Sequence, residues 1–153
     1  AMINARRTWI IGFRTAQSFA TYLRWQTLQV IDNVTVFPGA GETLAESLAG
    51  IGLDDVVIVF GLRRRVASFD AVLEQVIRSK ATVLLISDES LERRSDVAWH
   101  VQCQTPAPGP LFNHVPVMAY CHILATRVVE LSGKAGRRRL SSIEVVHDQL
   151  GEL

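Results

Sequence analysis

Two short segments most narrow what this chain can fold into: "DDVVIVFG", residues 54–61, and "ATVLLISD", residues 81–88. Each is a continuous apolar run, too short for a buried helix, which takes roughly 10–12 residues or more. A strand with one wet face would alternate apolar and polar residues, so runs of this kind must be covered on both sides. Between them "SFDAVLEQVIRS" has the apolar spacing of an amphipathic helix, with Ser68 at the capping position. Strand, helix, strand in this order is the unit of a parallel sheet.

The same grammar runs through the rest of the chain. "TWIIG" (Thr8 to Gly12) and "VTVF" read as two further strands, the second ended by Pro38-Gly39. After the first comes "FRTAQSFATYLRWQTLQVI", with Phe19, Leu23, Val30 and Ile31 at helical spacing. Tyr22, Trp25 and Leu28 widen that stripe beyond what one sheet face needs, which marks a surface for a dimer partner. "ETLAESLAGIG" reads as a short helix with a glycine stop, and "ESLERRSD" as a short polar helical piece. "DVAWHVQC" alternates at Val97, Trp99 and Val101, the pattern of a sheet-edge strand with one wetter face. Asn113 can cap a long helix reaching about Leu131, with Pro116 tolerated in its first turn. "SGKAGRRRL" reads as a polar linker, after which Ser141 and Glu144 form a capping box opening a last helix through Leu150. The expected organisation is one α/β domain over residues 5–131. Residues 132–153 would supply a linker and a helix packing on that domain or on a partner subunit.

Five strands separated by helices predict a parallel sheet in the flavodoxin-like order 2-1-3-4-5, with helices on both faces. In such sheets ligands bind outside the carboxyl ends of the strands, at the switch between strands 1 and 3. The loop from Gly12 to Gln17 and the loop from Gly61 to Ala67 would then face each other. The first carries Arg14 and Thr15; the second carries Arg63, Arg64 and Arg65. Two arginine-bearing loops, each feeding a helix N-terminus, predict an anion pocket. The competing expectation is that these arginines are solvated or paired to acids such as Glu42, Asp70 or Glu89. His114, in the first turn of the long helix, is a further candidate ligand contact.

Composition excludes several classes. The formal net charge is +1, so the whole domain is not a polyanion binder. Its 153 residues are 48% hydrophobic, enough for a core without disulfides. The two cysteines, Cys103 and Cys121, form neither a metal-spaced cluster nor a disulfide framework, and fit a reducing, cytoplasmic setting. There is no apolar run long enough to span a bilayer. Ala1 before Met2 fits a fragment of something longer. A dinucleotide fingerprint fails: Arg14 and Thr15 stand where glycines are needed, and Asp32 precedes the second strand instead of following it. No acidic cluster closes strands 1 and 3, as a phosphoacceptor would need. The four histidines lack metal-ligand spacing, so neither metal nor cofactor is expected.

At these loops the sequence resembles the SIS (sugar isomerase) domain of RpiR-type bacterial transcriptional regulators. The resemblance covers about Ala5 to Leu131. It is carried by "ARRTWIIGFRTAQSFATYL", "PGAGETLAESL", "DDVVIVFGLRRR", "VLLISD" followed by Asp96, and "GPLFNHVPVMAYCHILATRVVEL". The resemblance implies a phosphosugar site in which an SxSGxT loop after strand 3 and a serine after strand 1 cradle the phosphate. This chain has "GLRRRV" (Gly61 to Val66) in place of the first, and Ala16 in place of the second. One branch of the regulators, with an arginine in the first loop and paired arginines in the second, is closer. Arg14, Arg63 and Arg64 match it, while Gly61 and Arg65 replace a serine and a tyrosine.

The expected function is therefore non-catalytic sensing of a small anionic metabolite, a sugar phosphate or sugar acid. The expected contacts are Gly12, Arg14, Thr15, Gly61, Arg63, Arg64, Arg65 and His114. Binding would act through a homodimer or homotetramer, and on DNA through a helix-turn-helix domain this chain does not encode. An aldose–ketose isomerase would need a base, for which Glu42, Glu46 and His114 are the candidates. A third alternative is an oligomerisation domain with a vestigial pocket.

Overall fold

The computed structural model describes residues 1–152. It contains one sheet of five strands: β1 (Thr8–Ile11), β2 (Val34–Phe37), β3 (Val56–Gly61), β4 (Thr82–Asp88) and β5 (Trp99–Cys103). Their order is β2-β1-β3-β4-β5, and every neighbouring pair is parallel. The connecting helices are α1 (Ala16–Leu28), α2 (Leu44–Ala49) and α3 (Phe69–Arg78), and α4 (Val115–Leu150) follows β5.

The continuous apolar runs exist because both faces are covered. In register, Ile10 lies opposite Ile58 and Ile58 opposite Leu84. These residues, with Phe60 and Ile86, meet Phe19 and Leu23 of α1 and Val117 and Cys121 of α4. Their neighbours Ile11, Val57, Val59 and Leu85 point the other way, onto Val72, Leu73 and Val76 of α3. Every position of β3 is buried. Burying one such side chain stabilises the fold by about 1.5–3 kcal/mol, so a polar residue anywhere in β3 would be costly.

Three local expectations change. The wide apolar stripe of α1 is largely used within the chain, because α1 packs on α4 as well as on the sheet. Tyr22 Oη lies 3.2 Å from His122 Nδ1, and the Leu28 carbonyl accepts from Arg139 Nε at 2.8 Å. Only Trp25 of that stripe remains well exposed, at 65%. The segment "ESLERRSD" is not helical but a run of turns and bends. Its polar groups take local partners instead: Glu89 accepts from the Thr105 amide at 3.0 Å, and Arg94 pairs with Asp96 at 2.5 Å. Residues 132–140, finally, are not an extended linker. Gly133, at φ 57 and ψ −135, is the single non-helical residue within α4, and the helix resumes at once. Ala135 and Arg137 to Arg139 are good helix formers, and Gly136 keeps helical geometry, so the bend is confined to Gly133. Ser141 and Glu144 consequently lie inside a helix rather than opening one. Beyond the bend, Gly136 is buried and Leu140 packs against the core of the same chain. No helix among the described residues is long and apolar enough to cross a membrane.

Candidate functional site

β1 and β3 lie side by side and parallel, so the loops that follow them open on one cleft of about 480 Å³. That size falls in the usual range for small-molecule sites, roughly 300–1,000 Å³. The loop after β1 contributes Phe13, Arg14, Thr15 and Ala16, and the loop after β3 contributes Leu62, Arg63 and Arg64. A third wall comes from the proline-rich connection between β5 and α4, with Pro110, Leu111 and Phe112, and from His114 at the cap of α4.

Of the residues singled out in the sequence, Arg14, Thr15, Arg63, Arg64 and His114 line this cleft. Gly12, Gly61 and Arg65 do not. The two glycines serve close approach instead. A Cβ at Gly12 would stand 2.6 Å from the Ala16 carbonyl oxygen, and one at Gly61 would stand 2.9 Å from the Phe69 ring. Gly12 lets the first turn of α1 close against the end of β1, and Gly61 leaves room for the Phe69 ring. Arg65 is spent on the fold. Its guanidinium donates to the Gly61 carbonyl at 3.0 Å and the Ser90 hydroxyl at 3.1 Å, and sits 3.6 Å from Asp88.

Asp88 organises this region, and the sequence reading did not single it out. It ends β4, beside β3, with its side chain 1% exposed. Its carboxylate accepts from the Arg63 amide, from the Ser90 amide at 2.8 Å and from the Ser90 hydroxyl. Burial alone would raise its pKa, but the Ser90 hydroxyl and amide, the Arg63 amide and the Arg65 charge together hold it below the ordinary 3.8. The carboxylate thus pins the backbone at Arg63 and turns Arg65 inward. The only signal for it in the sequence was an acid at the end of an apolar strand next to the arginine loop.

Arg14, Arg63 and Arg64 differ from Arg65. All three are exposed, and among the described residues none of their guanidinium groups has a carboxylate within 4 Å. The expected alternatives Glu42, Asp70 and Glu89 do not pair with them. Arg63 is instead seated over the Phe112 ring, 5.6 Å from its centroid. Such a contact orients a guanidinium without neutralising it. Arg14 is held at φ 56, a left-handed conformation that a residue with a Cβ adopts at a cost of roughly 1–2 kcal/mol. Backbone strain of this sort tends to sit at functional sites.

The helix start beside Arg14 is not an open cradle of amides. The Ala16, Gln17 and Ser18 amides donate to the Phe13, Arg14 and Thr15 carbonyls at 3.0–3.2 Å. The charged and hydroxyl-bearing side chains on the cleft are three guanidinium groups and the Thr15 hydroxyl. His114 is fixed by aromatic neighbours, with ring centroids 5.5 Å from Phe19 and 6.4 Å from Phe112. The Asn113 carbonyl oxygen of the side chain accepts from the Val115 amide at 3.0 Å, one residue off the cap position expected for it.

Among the described residues no carboxylate lines the cleft. Glu42 and Glu46, the bases considered from sequence, border a different surface hollow beside Arg7 and Trp9. Glu42 accepts from the Gly39 amide at 2.7 Å and Glu46 from the Thr43 hydroxyl. Among the described residues no group of three or more His, Cys, Asp or Glu side chains could hold a metal ion. The cysteines are buried, and burial pushes the Cys121 thiol up to about 12, leaving it inert at neutral pH.

Comparison with known proteins agrees with this architecture. The SIS domain family model matches residues 1–127. The sugar isomerase domain of an RpiR transcription factor from Sphaerobacter thermophilus superposes with a TM-score of 0.80 at 17% identity, covering 94% of this chain and 80% of that one. NanR of Vibrio vulnificus, solved in complex with ManNAc-6P, superposes with a TM-score of 0.77 at 14% identity, covering 96% of this chain and 57% of that one. A hypothetical protein of Methanococcus jannaschii, whose structure led to an inferred 3-hexulose-6-phosphate isomerase function, gives 0.64 at 13% identity, over 95% and 77%. At these identities the likeness is one of fold, shared by regulators and isomerase-like proteins. No curated protein sequence matches the chain.

Proposed function

The chain belongs to the SIS domain family, and from that premise we propose that it is the effector-sensing domain of an RpiR-type transcriptional regulator, binding a sugar phosphate or sugar acid. The observation that carries the reading is the trio of guanidinium groups from two crossover loops, unneutralised, on one cleft that holds no carboxylate. Arg63 and Arg64 take the anion as a charged fork, with Arg14 closing from the opposite loop and Thr15 adding a hydroxyl donor. His114 meets a hydroxyl of the sugar. The sugar phosphate named in the NanR complex supports this ligand class.

An isomerase would need a base placed to move a proton between adjacent carbons. Within this chain's cleft, His114 is the only side chain of that kind, and the glutamates lie elsewhere, which favours sensing over turnover. Sensing would act through a homodimer or homotetramer in the cytoplasm and through a helix-turn-helix domain joined to this one, with the ligand binding one conformation better than the other.

The test is a thermal-shift screen against sugar phosphates and sugar acids, with each hit then followed by NMR for conversion. The expected result is a stabilising hit, unconverted, that disappears in the Arg63→Ala, Arg64→Ala variant. A hit that is isomerised moves the assignment to an enzyme, and no hit at millimolar ligand leaves an assembly domain.

A further inference from the structure

Beyond Gly133, α4 turns one face to the body of the chain and the other to solvent. On the inner face Gly136 is buried, Leu140 packs against the core, and Arg139 donates to the Leu28 carbonyl at 2.8 Å. On the outer face Lys134, Arg138, Ser141, Glu144 and Asp148 recur at helical spacing, and all are exposed. Among the described residues none of these four charges has an oppositely charged partner within 4 Å. The arrangement is a poor one for a helix standing alone. Lys134 and Arg138 are four residues apart, as are Glu144 and Asp148, so each pair repels. No opposite charge stands three or four places from any of them. The two acids also lie toward the carboxyl end of α4, where the helix dipole disfavours negative charge.

A second copy of the same helix, running the other way, removes each of these conflicts. Turned about Ser141, Lys134 of one copy meets Asp148 of the other, because both are seven residues from that centre. Arg138 meets Glu144, both three residues from it, and the stem of Arg137 covers Val145, which is 54% exposed. Ser141 supplies the small side chain needed where the two axes come closest. We propose that this outer face is where two copies of the chain meet, with their helices antiparallel and centred on Ser141. Twofold symmetry makes every contact twice, giving four ion pairs along about 20 Å of helix. A parallel arrangement would set Lys134 against Lys134 and Asp148 against Asp148, and the same charges oppose it. The contact gives the dimer of the proposed function a surface, and it does not depend on what the cleft binds.

Sedimentation equilibrium of the chain and of charge-reversed variants, at low and at high salt, tests this. The expected parent is a dimer at low salt that weakens as salt rises, since exposed ion pairs are screened. Arg138→Glu and Glu144→Arg should each weaken it about tenfold, because each reversal turns two attractions into repulsions. Both changes in one chain should restore the parent's affinity, and a mixture of the two single variants should form a heterodimer. Circular-dichroism melts of the variants should match the parent, as the altered side chains are exposed. Should either single variant fail to fold, Lys134→Glu and Asp148→Lys ask the same question at the outer pair. A chain that stays monomeric at millimolar concentration overturns the proposal, and so does a dimer indifferent to the single reversals. A double variant as weak as the single ones overturns the antiparallel pairing. Ligand binding in the cleft is read separately, so either reading can fail without the other.

Discussion

Arginines occupy both ends of this sheet and do opposite things there. At the amino-terminal end Arg6 lies 2.6 Å from Asp55, whose side chain is fully buried and also accepts from the Trp9 indole at 3.0 Å and the Gly52 amide at 2.9 Å. At the carboxyl end Arg14, Arg63 and Arg64 carry the same charge over a cleft, and among the described residues none has a carboxylate within 4 Å. Arg65 shows that the difference is not one of sequence neighbourhood. It belongs to the same run as Arg63 and Arg64, yet Asp88 draws it into the fold. An arginine that stabilises the protein has a buried acceptor waiting; the arginines proposed to meet a ligand are left without one.

The contrast breaks most visibly at Asp55. Replacing it by Ala strands the buried Trp9 indole N–H, and an unsatisfied buried donor costs about 1–3 kcal/mol. Adding the lost Gly52 bond, Asp55→Ala should destabilise the chain by about 2–4 kcal/mol, with the half-exposed Arg6 contributing little. Calorimetry should show a Tm lower by about 2–4 °C for each kcal/mol. An unchanged Tm would mean that the amino-terminal cluster is ornamental. Next comes Arg65→Ala, which removes bonds to Gly61 and Ser90, at about 0.5–1.5 kcal/mol each. The Arg63→Ala, Arg64→Ala variant should instead stay within about 0.5 kcal/mol of the parent in denaturant melts. If the two variants melted alike, the division within the run would fail.

A smaller effect sharpens the comparison through pH. His100 is buried on β5, with Nε2 2.8 Å from the Ser87 hydroxyl and Nδ1 accepting from the Arg94 amide at 2.9 Å. Burial, then the charges of Arg93 and Arg94, lowers its pKa from the ordinary 6.5. The folded chain therefore binds fewer protons there than the unfolded chain. Stability from this group is complete above pH 6.5 and is lost as pH falls below it toward the lowered value. Asp55 and Asp88, lowered from 3.8, release their contribution only in stronger acid. Melts between pH 7.5 and 5 should thus slope downward toward acid, and His100→Gln should flatten that slope. Arg14 gives a last comparison through its backbone. Arg14→Gly relieves the left-handed backbone but frees the unfolded chain, so the net change should stay within about 1 kcal/mol, while Arg14→Pro, which cannot reach φ 56, should not fold normally.

The sheet was legible because covering both faces leaves an unmistakable mark, as in the unbroken run from Val56 to Phe60. The location of the cleft followed from strand order, since any chain with β1 and β3 adjacent must bring the loops at Arg14 and Arg63 together. Which arginines remain free was not legible. That depends on Asp88, 23 positions beyond Arg65, and on how far each side chain reaches. The third wall of the cleft escaped too, because "GPLF" has neither strand nor helix period and reads only as a connection. The bend at Gly133 was mistaken for a linker because serine, glycine and lysine stand together there, although a single residue does the bending.

On the proposed function, three unneutralised guanidinium groups hold one negative charge centre on the ligand. The most direct measurement of this is the affinity, by titration calorimetry, of a sugar phosphate and of the same sugar without phosphate. Each is titrated into the parent chain and into an Arg14→Ala, Arg63→Ala, Arg64→Ala variant. Charge-assisted bonds are worth about 1.5–3 kcal/mol each, so the parent should prefer the phosphorylated form by roughly 100-fold or more. The variant should lose that preference while melting within a few degrees of the parent. A preference that persists in the variant, or a parent that binds both sugars equally, would contradict the account.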